Sequence, residues 1–200
     1  ENAIVYESLE EKIKQRTRDL EASQDELRHL ASVDPMTKLY NRRYFSEVSA
    51  KVFDLAKREE FNIIIAMLDI DNFKNVNDTY GHPVGDKVII AIGDIVSKHT
   101  RKSDVACRFG GEEFIILFPY TEFNDAVLLV EEIRKSVEDI VIALESDEFL
   151  HVTASGGVSS VDIAIDQDIE VAINKADNAL YEAKRSGKNK VVYYKETYRR

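Results

Sequence analysis

Two clusters of residues could do chemistry. The first runs Asp69-Ile70-Asp71-Asn72-Phe73-Lys74-Asn75-Val76-Asn77-Asp78, directly after an apolar run from Ile63 to Leu68. Carboxylates at the end of a buried strand are costly unless they are paired or bound to a cation. The cluster therefore points to a metal site. An EF-hand calcium loop is the obvious rival, because Asp69 and Asp71 fit its first two ligand positions. Its sixth position is Lys74 where glycine is needed, and its twelfth is Tyr80 where a bidentate glutamate is needed, so the EF-hand is rejected. Taken alone, the cluster also reads as a polar turn after a strand.

The second cluster is Arg108-Phe109-Gly110-Gly111-Glu112-Glu113-Phe114. Two glycines let backbone approach a ligand closely and permit positive φ. Strand alternation sends Glu112 and Glu113 to opposite faces, with Glu112 beside Phe114 and Ile116. Only one of the two then joins Asp69 with ideal geometry. A Gly-Gly hairpin with acids is common by itself; the two clusters together say more. A carboxylate from a strand end and another from a hairpin tip, completed by waters and substrate phosphates, suit Mg²⁺ better than a closed protein cage. Phosphoryl transfer by bound metal ions uses that arrangement.

These residues need elements to bring them together. Residues 1–33 read as one helix, with Tyr6, Leu9, Ile13, Arg16, Leu20, Ser23, Leu27 and Leu30 at alternating steps of three and four. That is a heptad seam with two polar interruptions, so a parallel coiled coil is expected; the rival is a helix packed against its own domain. Pro35 disfavours helix at Asp34 and marks the boundary to a second domain over 34–200. There, an amphipathic helix presents Phe45, Val48, Val52 and Leu55, and Phe61 to Ile70 forms a buried strand. Pro83 opens a helix whose inner face is Val84, Val88, Ile92 and Ile95, with Lys74 and His82 left in the preceding loop. Strands over 105–109 and 114–118 form a hairpin around Gly110-Gly111. A helix over 125–144, a strand over 152–161, a helix over 168–185 ended by Gly187 and a strand over 190–194 complete the chain. Helices alternate with strands but one strand pair is a tight hairpin. The expected fold class is therefore α/β, a mixed central β-sheet flanked by helices on both faces.

Composition narrows the function classes. A net charge of −10 argues against sequence-independent nucleic-acid binding, which needs a basic face. A nucleotide ligand stays open, since a metal ion can supply the positive charge. No apolar run is long enough to span a membrane. The single cysteine, Cys107, rules out an internal disulfide, fits a reducing compartment and reads as a small buried strand residue. The chain starts at Glu1 rather than Met, which suggests a fragment whose upstream sensor lies outside it.

The motifs carry a resemblance. Gly110-Gly111-Glu112-Glu113-Phe114 resembles the GGDEF signature of diguanylate cyclases in its GGEEF form. The segment from Asp34 to Arg42 resembles the family's opening D-x-L-T-x-L-x-N-R, with Met36 in place of Leu. The block from Asp69 to Asp86 matches D-x-D-x-F-K-x-x-N-D-x-x-G-H-x-x-G-D, and Ala179 to Lys190 resembles the closing helix and turn. The resemblance spans about 32–195 and implies a GGDEF-type, nucleotidyl-cyclase-like palm that condenses two GTP into cyclic di-GMP.

The resemblance implies a role for each matching residue. Asp69, the Ile70 carbonyl and Glu112 would hold two Mg²⁺ ions, with Mn²⁺ as a substitute. Glu112 would also accept the proton of the attacking 3′-hydroxyl, with Glu113 assisting at the metal or as base. Lys74 would neutralise charge building on the phosphates. Asn77 and Asp86 would read the guanine edge, His82 would shape the pocket, and Lys184 and Lys188 would face the β- and γ-phosphates. Each also has an ordinary reading: Asp86 is an acid favoured in a first helical turn, and Lys184 a cation favoured at a helix C-terminus. Arg101-Lys102-Ser103-Asp104 resembles the family's product-inhibition site, where Arg101 and Asp104 would contact cyclic di-GMP. The family acts as a facing pair of domains, which implies a homodimer held by the N-terminal helix. The reading is of a cytoplasmic domain whose parent protein a membrane segment elsewhere could anchor. A non-catalytic cyclic di-GMP receptor is the second function class and a pure dimerisation module the third.

Overall fold

The computed structural model describes residues 12–18, 32–144 and 148–194. The chain divides into two units, Glu1–Val33 and Asp34–Arg200. In the first, residues 12–18 are helical, and Thr17 Oγ1 donates to the Ile13 carbonyl at 2.9 Å. Most of the expected heptad seam, Tyr6, Leu9, Leu20, Ser23, Leu27 and Leu30, lies outside the described residues.

The second unit is built on β2 (Ile63–Ile70), buried at all eight positions. A strand covered on both faces needs no polar alternation, which explains its unbroken apolar sequence. Antiparallel β4 (Glu113–Pro119) lies on one side of it and antiparallel β7 (Ala154–Ser160) on the other. Next to β4 comes antiparallel β3 (Val105–Arg108), and a short β1 (Tyr40–Asn41) pairs parallel with β3 at the edge. At the other edge β8 (Val191–Tyr193) runs parallel to β7. The sheet is therefore mixed, in the order β1-β3-β4-β2-β7-β8, and the expected fold class is the observed one.

Among the described residues four helices cover the sheet. α3 (His82–His99) and α4 (Phe123–Asp139) pack on the face that carries Ile64, Ala66, Leu68, Phe114 and Ile116. α1 (Arg42–Glu59) and α5 (Ile169–Arg185) pack on the face that carries Ile63, Ile65, Met67, Ile115 and Cys107. Burial pushes the Cys107 thiol up to about 12, so it stays an inert core group. α5 lies directly on β7: a Cβ on Gly157 would stand 2.1 Å from the Ala176 carbonyl oxygen. Gly157 is thus set by close helix–strand approach. No helix among the described residues is long and apolar enough to cross a membrane.

Four local expectations change. The buried line of α1 is Phe45, Ser49, Phe53 and Ala56, with Val48, Val52 and Leu55 half-buried beside it, because the aromatic Phe53 fills the space under the helix. Residues 73–80 are no loop but α2 (Phe73–Tyr80), anchored by buried Phe73 and Val76, and His82 is the first residue of α3. The helix over 125–144 stops at Asp139; Ile142–Ala143 and Phe149–Leu150 instead form a two-stranded hairpin, β5 and β6. β1 was not expected; two residues give no periodicity to read.

Candidate active site

Asp69 is the last-but-one residue of β2, at the carboxyl end of the central strand, and is 6% exposed. It faces Glu113 across the β2–β4 ladder and Ser155 across the β2–β7 ladder. The Ile70 amide donates to the Glu112 carbonyl at 3.3 Å, which ties the hairpin tip to the strand end. Lys184, in the last turn of α5, places Nζ 2.7 Å from Asp69 Oδ2. Burial raises the Asp69 carboxyl to about 6; Lys184 pulls the other way, and Glu112 and Glu113 add to the rise. Asp69 thus feels the charge of both glutamates and is paired directly with Lys184.

β4 begins at Glu113, so Glu112 lies in the turn, where strand alternation does not govern it. Both glutamates act electrostatically on Asp69. Neither glycine of the turn has positive φ. At Gly110 a Cβ would stand 2.8 Å from Glu113 Oε2, so the absence of a side chain leaves room for the end of the Glu113 side chain. A Cβ on Gly111 would meet open space, so nothing of the protein covers that residue. Arg108 braces the turn, with Nε and a terminal N–H donating to the Gly111 carbonyl at 3.0 and 2.8 Å. Its other terminal nitrogen lies 3.3 Å from Asp34 Oδ2. Sequence reading assigns Arg108 and Asp34 no role of their own; an arginine just before a Gly-Gly turn is the available signal.

Asn77 and Asp86 belong to α2 and α3, joined through Gly81 at φ 83°. A Cβ on Gly85 would fall 2.0 Å from Asn77 Oδ1, so the Asn77 carboxamide rests on the residue before Asp86. Asp86, His82 and Lys74 are exposed. Lys188 crosses to the start of α2, where Nζ donates to Asn72 Oδ1. The strand end therefore gathers Asp69, Glu112, Glu113, Lys184 and Lys188, and α2 leads from it to Asn77 and Asp86.

Asp71 belongs to the D-x-D block, and sequence reading gives it no role of its own. It is buried and accepts from Thr153 Oγ1, Ser155 Oγ and the Asn189 amide at 2.7, 2.7 and 3.0 Å. Its spacing of two from Asp69 was the only signal. Arg101 and Asp104 stand apart, before β3, one four-residue strand away from the Gly-Gly turn, roughly 13 Å. Asp104 is buried and its Oδ2 accepts from the Arg101 amide at 2.8 Å, while the Arg101 side chain is exposed.

Among the described residues no three His, Cys, Asp or Glu side chains form a closed metal cage. The donor set still fits hard cations that keep most of their sites for water and phosphate: a carboxyl raised by burial, with Glu112 and Glu113 adding to the rise, gains from an added cation.

Residues 31–190 match the family model described as diguanylate cyclase, GGDEF domain. Diguanylate cyclase A of Treponema denticola is 37% identical over 173 residues, which is 85% of this chain and 46% of that protein. The chain spans less than half the length of the curated relatives it matches. The crystal structure of the coiled coil and GGDEF domain of DgcB from Caulobacter crescentus, in complex with c-di-GMP, superposes with a TM-score of 0.82 at 31% identity, covering 93% of this chain and 99% of that one. The active GGEEF domain of a diguanylate cyclase from Vibrio cholerae is 34% identical, with a TM-score of 0.73 over 78% of this chain and 98% of that one. With the GGEEF turn standing beside Asp69 and the match running through most of the second unit, the chain belongs to the GGDEF domain family of diguanylate cyclases.

Proposed function

We propose that this domain condenses two GTP molecules into cyclic di-GMP and two pyrophosphates, as one half of a facing homodimer. The observation that carries the reading is the meeting of buried Asp69 with Glu112, Glu113 and Lys184 at the end of β2. Asp69, the Ile70 carbonyl and Glu112 are the donors that would hold two Mg²⁺ ions, or Mn²⁺. Bound there, the ions would neutralise charge on the triphosphate.

The chain's own residues divide the rest. Asn77 and Asp86 hold the guanine edge, where a carboxylate can accept from both N–H groups that adenine lacks. Lys184 and Lys188 take the β- and γ-phosphates, and Lys74 offsets charge on the phosphates as the reaction proceeds. Glu112, with Glu113 beside it, takes the proton of the 3′-hydroxyl. The new bond joins that oxygen to the α-phosphorus of the GTP on the facing domain; the bond to the pyrophosphate oxygen breaks. Two such transfers close the ring, and one domain alone cannot make both. The N-terminal helix, residues 1–33, raises the effective concentration of the pair. Arg101 and Asp104 form a separate product site that inhibits by clamping cyclic di-GMP. The reading puts the domain in the cytoplasm.

The test is to incubate the chain with GTP and Mg²⁺ and identify the product by mass. Cyclic di-GMP with two pyrophosphates per turnover is expected, lost in Glu112→Gln with the circular dichroism spectrum unchanged. Tight binding of cyclic di-GMP with no GTP consumed would instead make the domain a receptor.

A further inference from the structure

The segment Gly187-Lys188-Asn189 carries three consecutive residues in the left-handed region, at φ 113°, 62° and 47°. Two of them are not glycine. A non-glycine residue in this region costs energy and persists only where its surroundings over-determine it. The surroundings here are identifiable. The Asn189 amide donates to Asp71 Oδ2 at 3.0 Å, and its carboxamide donates to Glu138 Oε1 at 2.8 Å. Asn189 Oδ1 accepts from Arg134, itself buried on α4 and held by Glu131 and Glu138. The Lys188 amide donates to the Ala183 carbonyl at 3.0 Å, and the Lys188 ammonium reaches Asn72.

Asp71 stands at the centre of this arrangement. Its carboxylate is 4% exposed and is filled by donors from two segments remote from its own. Thr153 and Ser155 fix it to the start of β7, and Asn189 fixes the turn after α5 to it. Its own backbone amide donates to the Thr153 carbonyl at 2.8 Å. Asp71 lies two residues beyond Asp69 but points to different partners: Asp69 takes Lys184, Asp71 takes the backbone beyond Lys188. One strand end therefore sets the positions of both lysines, one by an ion pair and the other through the turn.

We propose that Asp71 is a positioning residue for nucleotide binding: it locks the left-handed turn 187–189 so that Lys188 is presented beside the strand end that carries Asp69. The proposal rests on the reading of this site as a GTP site. Asp71 touches neither nucleotide nor metal; it acts through Lys188. Replacing one of its oxygens by an amide group turns an acceptor toward N–H and O–H donors into a donor, and the turn loses its anchor.

The test is a double-mutant cycle with Asp71→Asn and Lys188→Ala, read by calorimetry as the affinity for 3′-deoxy-GTP with Mg²⁺, a nucleotide that lacks the attacking hydroxyl. In the parent background Asp71→Asn is expected to weaken binding about tenfold, the loss typical of a buried hydrogen bond to a charged group. In the Lys188→Ala background it should weaken binding less than twofold, because the residue it positions is gone. Equal factors in both backgrounds would overturn the proposal, as would an affinity indifferent to Lys188→Ala. In turnover the same change should raise KM for GTP and leave kcat within about twofold; a loss confined to kcat also overturns it. Should Asp71→Asn fail to fold, Asn189→Gly takes its place. That change permits the left-handed backbone and keeps the amide bond to Asp71 but deletes the carboxamide bonds to Arg134 and Glu138, so it loosens the turn from its other side and must show the same dependence on Lys188. A parent chain that binds 3′-deoxy-GTP yet forms no product from GTP sinks the cyclase reading alone and leaves the cycle legible.

Discussion

Asp69 is a residue whose ionisation works against the fold and for the site. Its carboxyl is raised from 3.8 to about 6, first by burial and then by Glu112 and Glu113 against the pull of Lys184. A carboxyl raised in the folded state stabilises the fold most below its unfolded value, near pH 4, and loses that contribution as pH rises through about 6. Asp69→Asn, which never ionises, should therefore be more stable than the parent at pH 7 by ~1–2 kcal/mol, after allowance for the lost Lys184 pair and solvent screening. The gap should close as pH is lowered from 7 toward 4, in thermal melts of ligand-free protein, and cyclase activity should be absent. A variant less stable than the parent at pH 7 would show that the Lys184 pair outweighs the burial cost. Arg101 belongs to the same scale. Its side chain is exposed and lies a strand away from Asp69. Arg101→Ala should relieve inhibition by added cyclic di-GMP at least tenfold and leave the initial rate of GTP turnover within twofold. Progress curves with and without product decide it, and equal inhibition of both proteins would put any feedback elsewhere.

At the scale of elements, the α2–α3 corner holds the proposed guanine contacts. Asn77 Oδ1 occupies space that only a glycine at 85 leaves free. Gly85→Ala puts a methyl group 2.0 Å from that oxygen, so the carboxamide must swing away. KM for GTP is expected to rise about tenfold or more through loss of a guanine hydrogen bond, with far-UV circular dichroism unchanged; an unaltered KM would remove Asn77 from the binding site. This corner also shows where sequence reading stopped. The block from Asp69 to Asp86 located the residues, and the apolar run located β2. Yet Asn72, Asn75, Asn77 and Asp78 read as a polar turn, because eight residues with only Phe73 and Val76 buried give too little periodicity to outweigh that composition. The Gly-Gly turn was found for partly the wrong reason. Positive φ was offered beside close approach, but the structure uses room for Glu113 at Gly110 and open space at Gly111. Asp71 could not be assigned from sequence at all: its partners Thr153, Ser155 and Asn189 lie more than eighty positions away and have no motif of their own.

Across the whole molecule the proposed chemistry asks for two domains, and the heptad seam of residues 1–33 is the proposed means. Ile13, a seam position, is 58% exposed in the single chain, as a residue awaiting a second helix would be. Removing residues 1–33 should lower specific activity at least tenfold at low nanomolar protein and much less at high micromolar protein, since free association replaces a tether. Sedimentation of the same samples should show the loss of dimer. A truncated chain that is monomeric and equally active at every concentration would refute the tether.

The distribution of charged groups along the chain has a consequence for biosynthesis. Asp69, Glu112 and Glu113 lie in the first 113 residues, whereas Lys184 and Lys188 come near the end. A chain emerging from the ribosome presents the acidic half of the site long before either lysine exists, and β2 lacks its β7 neighbour until residue 160 has followed. The strand end cannot neutralise itself until α5 and the turn after it are made. A message cut short before β7 then yields a chain with unneutralised carboxylates and a central strand paired with β4 but open on its other side, a substrate for proteolysis.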